Sequence, residues 1–237
     1  MKPLCPLSPR RLSSASIPAE STASSLLAAQ SLRGRVLKRG GDIVFSLLVL
    51  SLGSPLFLLL AVLVKLSSRG SIFYCQRRIG RGYKGFGCLK FRTMRRDADR
   101  VLAAMLEADP KLRAEFERDH KLKRDPRITP LGKFLRRSSL DELPQFINVL
   151  RGEMTVVGPR PIVWDELRRY GRSMDEVLSV RPGLTGLWQV SGRNNLTYRT
   201  RVRLDLTYVR HRSFWLDLGI VLRTIGVVLL PMDRGAY

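Results

Sequence analysis

Asp141 and Glu142 stand side by side in the stretch LGKFLRRSSLDELPQFINVLRGEMTVVGPRP (131–161), shortly after Arg136, Arg137, Ser138 and Ser139. Adjacent carboxylates beside guanidiniums suit phosphate chemistry, since paired carboxylates can hold Mg²⁺ against phosphates. Ser139 with Glu142 fits a capping box ahead of an apolar run, which places both acids in a first helical turn. Free backbone N–H groups, the helix dipole and two guanidiniums would converge there on a spot that binds phosphate and keeps a carboxylate ionised. The same spelling also fits an ordinary helix start, in which acids only stabilise the first turn or Asp141 is itself the N-cap. Local pattern leaves both readings open.

Val157-Gly158-Pro159-Arg160-Pro161 is a stiff turn, with two prolines fixing φ around one arginine. Holding Arg160 rigidly lowers the entropy cost of binding an anion, although a plain loop with an exposed arginine is spelled the same way. Arg181–Gly186 and Ser191–Asn195 are Gly-rich polar loops flanking Trp188, and alone they are weak signals. Upstream, Ile72-Phe73-Tyr74 resemble a short strand. Gly80–Gly87 resembles a turn, and Cys88–Phe91 a second strand. Residues 97–119 carry a helical pattern broken at Pro110.

What anchors these pieces is the run Ile43–Val64, IVFSLLVLSLGSPLFLLLAVLV, which contains no charge. Roughly 20 apolar residues suffice to cross a bilayer. Two features argue against a straight crossing. Arg33, Arg35, Lys38 and Arg39 precede the run, and Lys65, Arg69, Arg77, Arg78 and Arg81 follow it, so a single span would send one basic flank to the wrong side. Gly53-Ser54-Pro55 sits at its centre, where proline kinks a helix and Ser54 can bond back to the preceding turn. Each half then reaches roughly 15–18 Å, about half the hydrocarbon thickness. A helical hairpin dipping into one leaflet accounts for both features, and a kinked single-pass helix is the alternative. The apolar stretch 214–230 is interrupted by Asp217 and Arg223, which suits an interfacial helix or a core helix better than a span. Arg201, Arg203, Arg210 and Arg212 precede it and can meet anionic lipids.

The 237-residue chain is long enough for one ordinary domain with extensions. Its 42 Lys and Arg against 20 Asp and Glu give a net charge of +22, which points to a polyanionic partner: nucleic acid, an anionic bilayer or phosphorylated substrates. Cys5, Cys75 and Cys88 form no Cys-x-x-Cys pair, and His120 and His211 are the only histidines, which speaks against zinc. A membrane-tethered nucleic-acid-binding protein or an assembly scaffold would explain the charge, but neither the acid pair nor the central break. No nucleic-acid-binding signature is present. Residues 1–30, rich in Ser, Pro and Ala, read as a disordered tail, although a transit peptide has a similar composition.

Seven strings occur together and in order: SPLFLLL (54–60), QRRIG (76–80), KFRTM (90–94), SLDELP (139–144), GEMTVVGPRP (152–161), RPGLTG (181–186) and SGRN (191–194). In this combination the chain resembles the monotopic phosphoglycosyl transferases, or bacterial sugar transferases, over about residues 35–237. The LWQVSGR wording and the C-terminal Arg-Gly-Ala-Tyr look most like the exopolysaccharide-initiating, galactose-phosphate branch. The resemblance implies an α+β, predominantly α, monotopic membrane protein. Residues 31–69 would form a re-entrant helix broken at Ser54-Pro55, and 70–237 a cytosolic catalytic domain with C-terminal interfacial helices. It implies that Asp141 attacks a UDP-sugar, expelling UMP, and that undecaprenyl phosphate then takes the sugar phosphate from the aspartyl intermediate. Glu142 would hold Mg²⁺. Arg136, and less firmly Arg160, Arg193 and Asn194, would contact phosphate or nucleotide-sugar. The implied setting is the cytosolic face of a bacterial inner membrane, among anionic lipids. Galactose is the branch-level expectation with glucose close behind, and a homodimer with paired hairpins fits the same picture.

Overall fold

The structure, a computed structural model, describes residues 32–119, 122, 125–192 and 196–229. The tail expected over 1–30, together with Arg193 and Asn194, lies outside these. The described chain is α+β and predominantly helical, with two small sheets.

Two helices, α1 (Leu32–Leu52) and α2 (Ser54–Ser67), meet at 66°. Helix α1 begins within the basic flank, because Arg and Lys are good helix formers. Pro55 falls in the first turn of α2, where its missing N–H costs nothing. Ser54 Oγ donates to the Ser51 carbonyl at 2.8 Å and holds the bend. A Cβ on Gly53 would stand 2.5 Å from the Val49 oxygen, so only glycine fits the corner. No single helix among the described residues is long and apolar enough to cross a membrane, whereas the bent pair together has the length and composition.

Both ends of this pair are fastened to one body. Near the start, the Arg39 guanidinium donates to the Val149 and Leu150 carbonyls at 2.7 and 3.0 Å, capping the end of a later helix. Asp42, buried, accepts from Thr155 Oγ1 at 2.6 Å and the Val156 amide at 3.0 Å. At the other end, Leu60 and Val64 pack on Phe91 and Leu135. Arg92 there donates to the Val64 carbonyl at 3.2 Å and Ser68 Oγ at 3.1 Å. The bend between these ends is apolar and exposed, with Leu47, Leu48, Leu52, Leu58, Leu59 and Val62 on its surface.

Strands β1 (Phe73–Ile79) and β2 (Gly85–Phe91) form an antiparallel hairpin registered from Phe73↔Phe91 to Ile79↔Gly85. Both run longer than expected. Gly85 and Gly87 sit in the ladder opposite Ile79 and Arg77, so the turn shrinks to residues 80–84. Helices α3 (Ala98–Ala108) and α4 (Pro110–Asp119) break at Pro110 as expected. Helix α5 (Pro130–Ser138) starts at a Thr129 cap, whose Oγ1 accepts from the Gly132 amide at 2.9 Å. After a 3-10 turn, Leu140–Glu142, come α6 (Gln145–Arg151) and β3 (Thr155–Val157). Short helices α7 (Leu167–Tyr170) and α8 (Met174–Leu178) lead to β4 (Gly183–Thr185), parallel to β3 with Thr155↔Gly183 and Val157↔Thr185. Helices α9 (Leu187–Val190), α10 (Tyr198–His211) and α11 (Phe214–Leu229) complete the described chain.

The main core joins Phe86, Cys88, Val149, Met154, Val157, Tyr208 and Ile220. Each such side chain contributes roughly 1.5–3 kcal/mol by leaving water. Helix α11 serves this core and the surface at once. Ile220 is buried, while Phe214, Trp215, Leu218, Leu222 and Ile225 are exposed.

Candidate active site

Strand alternation turns Tyr74, Gln76 and Arg78 of β1, with Cys88 and Lys90 of β2, toward one side of the hairpin. That side lines a cavity of about 1010 Å³. Asp141, Glu142, Arg136 and Arg160 line the same cavity. Phe45 and Val49 of α1 and Val221 and Ile225 of α11 give it an apolar wall.

The local backbone of the acid pair differs from the expected helix start. Ser139 takes φ 59°, ψ 13°, the left-handed conformation that ends α5, and its side chain makes no cap bond. The capping box with Glu142 therefore does not form, and Asp141 and Glu142 occupy the 3-10 turn instead. Helix α6 begins only at Gln145, after Pro144. The Glu142 and Leu143 amides are spent on the Ser139 and Leu140 carbonyls at 3.2 and 3.3 Å. Of the amide cradle expected behind the pair, only the Asp141 amide reaches a carboxylate, its own.

Side chains supply the positive charge in its place. Lys90 Nζ meets Glu142 Oε1 at 2.6 Å. Arg136, in the last turn of α5, donates from Nε to Thr93 Oγ1 at 2.9 Å. Arg78 is buried and donates to the Pro161 carbonyl at 3.0 Å and Gln76 Oε1 at 2.8 Å. Arg160 lies over the Trp188 ring at 5.6 Å, and Arg201 lies 4.9 Å from the same ring centre. The Arg160 turn is pressed onto β4 backbone to backbone: a Cβ on Gly183 would stand 2.1 Å from the Gly158 nitrogen. One on Gly186 would stand 2.3 Å from the Gly158 oxygen.

The two acids titrate in opposite directions. Burial pushes Asp141, 8 % exposed, up to about 6; Lys90 and Arg136 oppose the shift and Glu142 adds to it. For Glu142 burial acts upward too, but the Lys90 ammonium, with Arg160 and Arg78 beyond it, holds the carboxyl below its usual range. The expectation that neighbouring charge keeps Asp141 fully ionised is therefore corrected: desolvation outweighs the cations once no helix dipole helps. At pH 7 the anion still predominates. Neighbouring carboxyls driven apart in this way commonly take different chemical roles.

The structure brings Asp141, Glu142, Arg136 and Arg160 to one cavity, while Ser54 and Pro55 lie at the bend between α1 and α2. Lys90 and Arg78 received no role from the sequence, although both lie in the strings QRRIG and KFRTM. Period-two alternation through a correctly bounded strand pair would have exposed them.

Among the described residues, no group of three or more His, Cys, Asp or Glu side chains could hold a metal. A hard cation of the Mg²⁺ type needs only one or two carboxylates, completed by water and substrate phosphates. The pair fits that requirement, since Lys90 engages Glu142 Oε1 and leaves Oε2 to a cation.

The structure thus places two acids in a cation-lined, partly apolar cavity. Residues 33–231 match the family model for bacterial sugar transferases, and the chain belongs to that family. It is 54% identical to an uncharacterized sugar transferase of Haemophilus influenzae over 87% of this chain and 43% of that protein. Against the exopolysaccharide production protein ExoY of Sinorhizobium fredii the identity is 50%, over 86% of this chain and 89% of that one. Against the undecaprenyl-phosphate galactose phosphotransferase of Salmonella typhimurium it is 51%, over 86% and 42%. The chain thus spans less than half of the Haemophilus and Salmonella proteins and most of ExoY.

Proposed function

We propose that the chain transfers a hexose-1-phosphate from a UDP-sugar to undecaprenyl phosphate, initiating an exopolysaccharide repeat unit at the cytosolic face of a bacterial inner membrane. The observation that carries this reading is the single cavity in which the acid pair faces cations on one side and an apolar wall on the other. A diphosphate suits the first surface and a polyprenyl chain the second.

In the first step an Asp141 carboxylate oxygen attacks the sugar-bearing phosphorus. The bridging P–O bond breaks and its electron pair leaves with UMP, giving an aspartyl-phosphosugar. In the second step an oxygen of undecaprenyl phosphate attacks the same phosphorus and displaces the Asp141 carboxylate, forming the diphosphate-linked lipid. Splitting one displacement into two suits a buried carboxylate with Asp141's upward-shifted pKa, because a poorly solvated anion is the stronger nucleophile. Lys90 keeps Glu142 ionised, and Arg136, Arg160 and Arg78 offset the negative charge of the phosphates. Mg²⁺ bound at Glu142 would supply further charge neutralisation at the diphosphate. Arg193 and Asn194 are assigned to the nucleotide-sugar from the family pattern, and UDP-galactose is the donor of choice because a galactose-named relative is among the most similar.

The bent pair α1–α2 is read as re-entrant. Supporting this, both of its ends are fastened to the same body and its bend is apolar and exposed, so the ends share a side. Anionic lipids then meet the basic flanks.

The test is incubation of the membrane-bound full chain with UDP-sugar labelled at the β-phosphorus. Stoichiometric label on the protein, chased off by undecaprenyl phosphate, is expected. Turnover without protein-bound label at any quench time would overturn the covalent route.

A further inference from the structure

A second, smaller cleft of about 500 Å³ lies at the foot of α2, away from the acid pair. Ser67, Ser68 and Arg69, where the helix ends, form one bank, and Thr129 and Pro130 at the start of α5 form another. Arg95 and Arg96 close it, and these two arginines also line the acid-pair cavity, so they are the wall between the two spaces. Its one acid, Asp97, stands 3.5 Å from Arg95. The guanidiniums of Arg69 and Arg96 bond nothing among the described residues. Immediately before the cleft comes Leu66, 78 % exposed, on the apolar surface that continues to the bend.

The cleft therefore joins unpaired guanidiniums to an apolar approach, at the level where the chain leaves the hairpin. Exposed guanidiniums without a carboxylate partner can pair with the oxygens of a phosphate group. Without a carboxylate pair the cleft cannot perform the displacement, and the acid-pair cavity, twice as large, has the room for a nucleotide-sugar. We infer that this cleft receives the phosphate monoester of the polyprenyl acceptor before it passes the Arg95–Arg96 wall to Asp141, an inference that rests on the proposed transfer reaction. The acceptor can then wait beside the site while the donor occupies it.

Arg69 lines the cleft alone, and its substitution separates the two spaces. The full chain is placed in phosphatidylcholine vesicles with graded undecaprenyl phosphate. Arg69→Gln is expected to raise KM for that lipid about five-fold, and Arg69→Glu further. UMP release and protein-bound label from UDP-sugar alone stay unchanged. Arg172→Gln, an exposed arginine lining neither cavity, leaves KM unchanged and controls for general surface charge. An unchanged KM in Arg69→Glu overturns the inference. So does an effect seen only when phosphatidylglycerol is added, which would assign the cleft to an ordinary anionic headgroup. Loss of the label in the Arg69 variants would place Arg69 in the acid-pair chemistry and overturn it as well. Loss of the label in the unaltered chain would refute the transfer reaction itself, a distinct failure.

Discussion

Among the buried carboxylates, which include Asp125 paired with Arg127 and Asp205 bonded by Tyr170, two sites make the sharpest contrast. Where α1 meets the body, Asp42 takes hydrogen bonds from Thr155 and Val156, and the half-buried Asp217 nearby takes them from Lys38 at 2.7 Å and Tyr208 at 2.7 Å. In the 3-10 turn, Asp141 has cations near it but only its own backbone amide as a hydrogen-bond donor, and burial raises its pKa to about 6. A fully partnered buried carboxylate holds structure together. One left short of donors stores the cost of its own desolvation, which the proposed bond to phosphorus would relieve.

The sharpest way to break this contrast is Asp141→Asn. Transfer and protein-bound label should fall at least about 10³-fold while thermal stability is kept or rises, because a buried charge has been removed. A stability loss comparable to that of an Asp42 variant would make Asp141 structural. The converse is Asp42→Ala, which strands the Thr155 hydroxyl and Val156 amide. It should cost about 3 kcal/mol, roughly 10²-fold in the folding equilibrium, in thermal or denaturant unfolding, with activity per folded molecule little changed. Next comes Lys90→Met. Glu142 then loses the charge that holds it ionised, so activity should drop about 10-fold or more and the Mg²⁺ concentration giving half-maximal rate should climb. Glu142→Gln in the Lys90→Met background should add little if the two act as one unit.

The smallest effect is on pH. The labelling step needs the Asp141 anion, so its rate should rise about 10-fold from pH 5 to 7 and level off above, with a midpoint near 6. Stability runs the other way. Asp141's folded-state value lies above its usual 3.8, so the folded chain holds an extra proton between these values. The stabilisation from that proton is complete below about 3.8 and is lost as pH rises through 6. Asp141→Asn should flatten that slope, measured as Tm against pH, whereas Asp42→Ala should not.

Much of this arrangement was legible residue by residue. Proline writes its effect into the chain wherever it stands, so the Ser54-Pro55 bend and the Pro110 break were readable. Charge of both signs around Asp141 drew attention to the right turn. What misled was Ser139: its hydroxyl spells a cap, but its backbone lies in the left-handed region because α5 ends there, and the spelling of a cap does not reveal φ. Gly85 and Gly87 hid the length of the β-hairpin, since a glycine in a strand and one in a turn look alike. With the strands cut short, the face that aligns Arg78 and Lys90 could not be drawn, and the cations that set the charge of Glu142 went unassigned.

Gly158, Gly183 and Gly186 meet with no side chain between them, at distances that leave no space even for a methyl group. Arg160 therefore stands on a joint with nothing to adjust. Elsewhere a protein can retune a loop by exchanging one packed side chain for another of different size. Here the closest contacts are backbone on backbone, and any growth at the seam displaces the whole turn. Adaptation of donor preference within this scaffold is accordingly channelled away from the Arg160 turn, to the neighbouring side chains that can vary in size, Leu184, Leu187 and Gln189 among them. The seam makes the position of one cation nearly invariant to drift and leaves the rest of the rim as the evolvable part of the site.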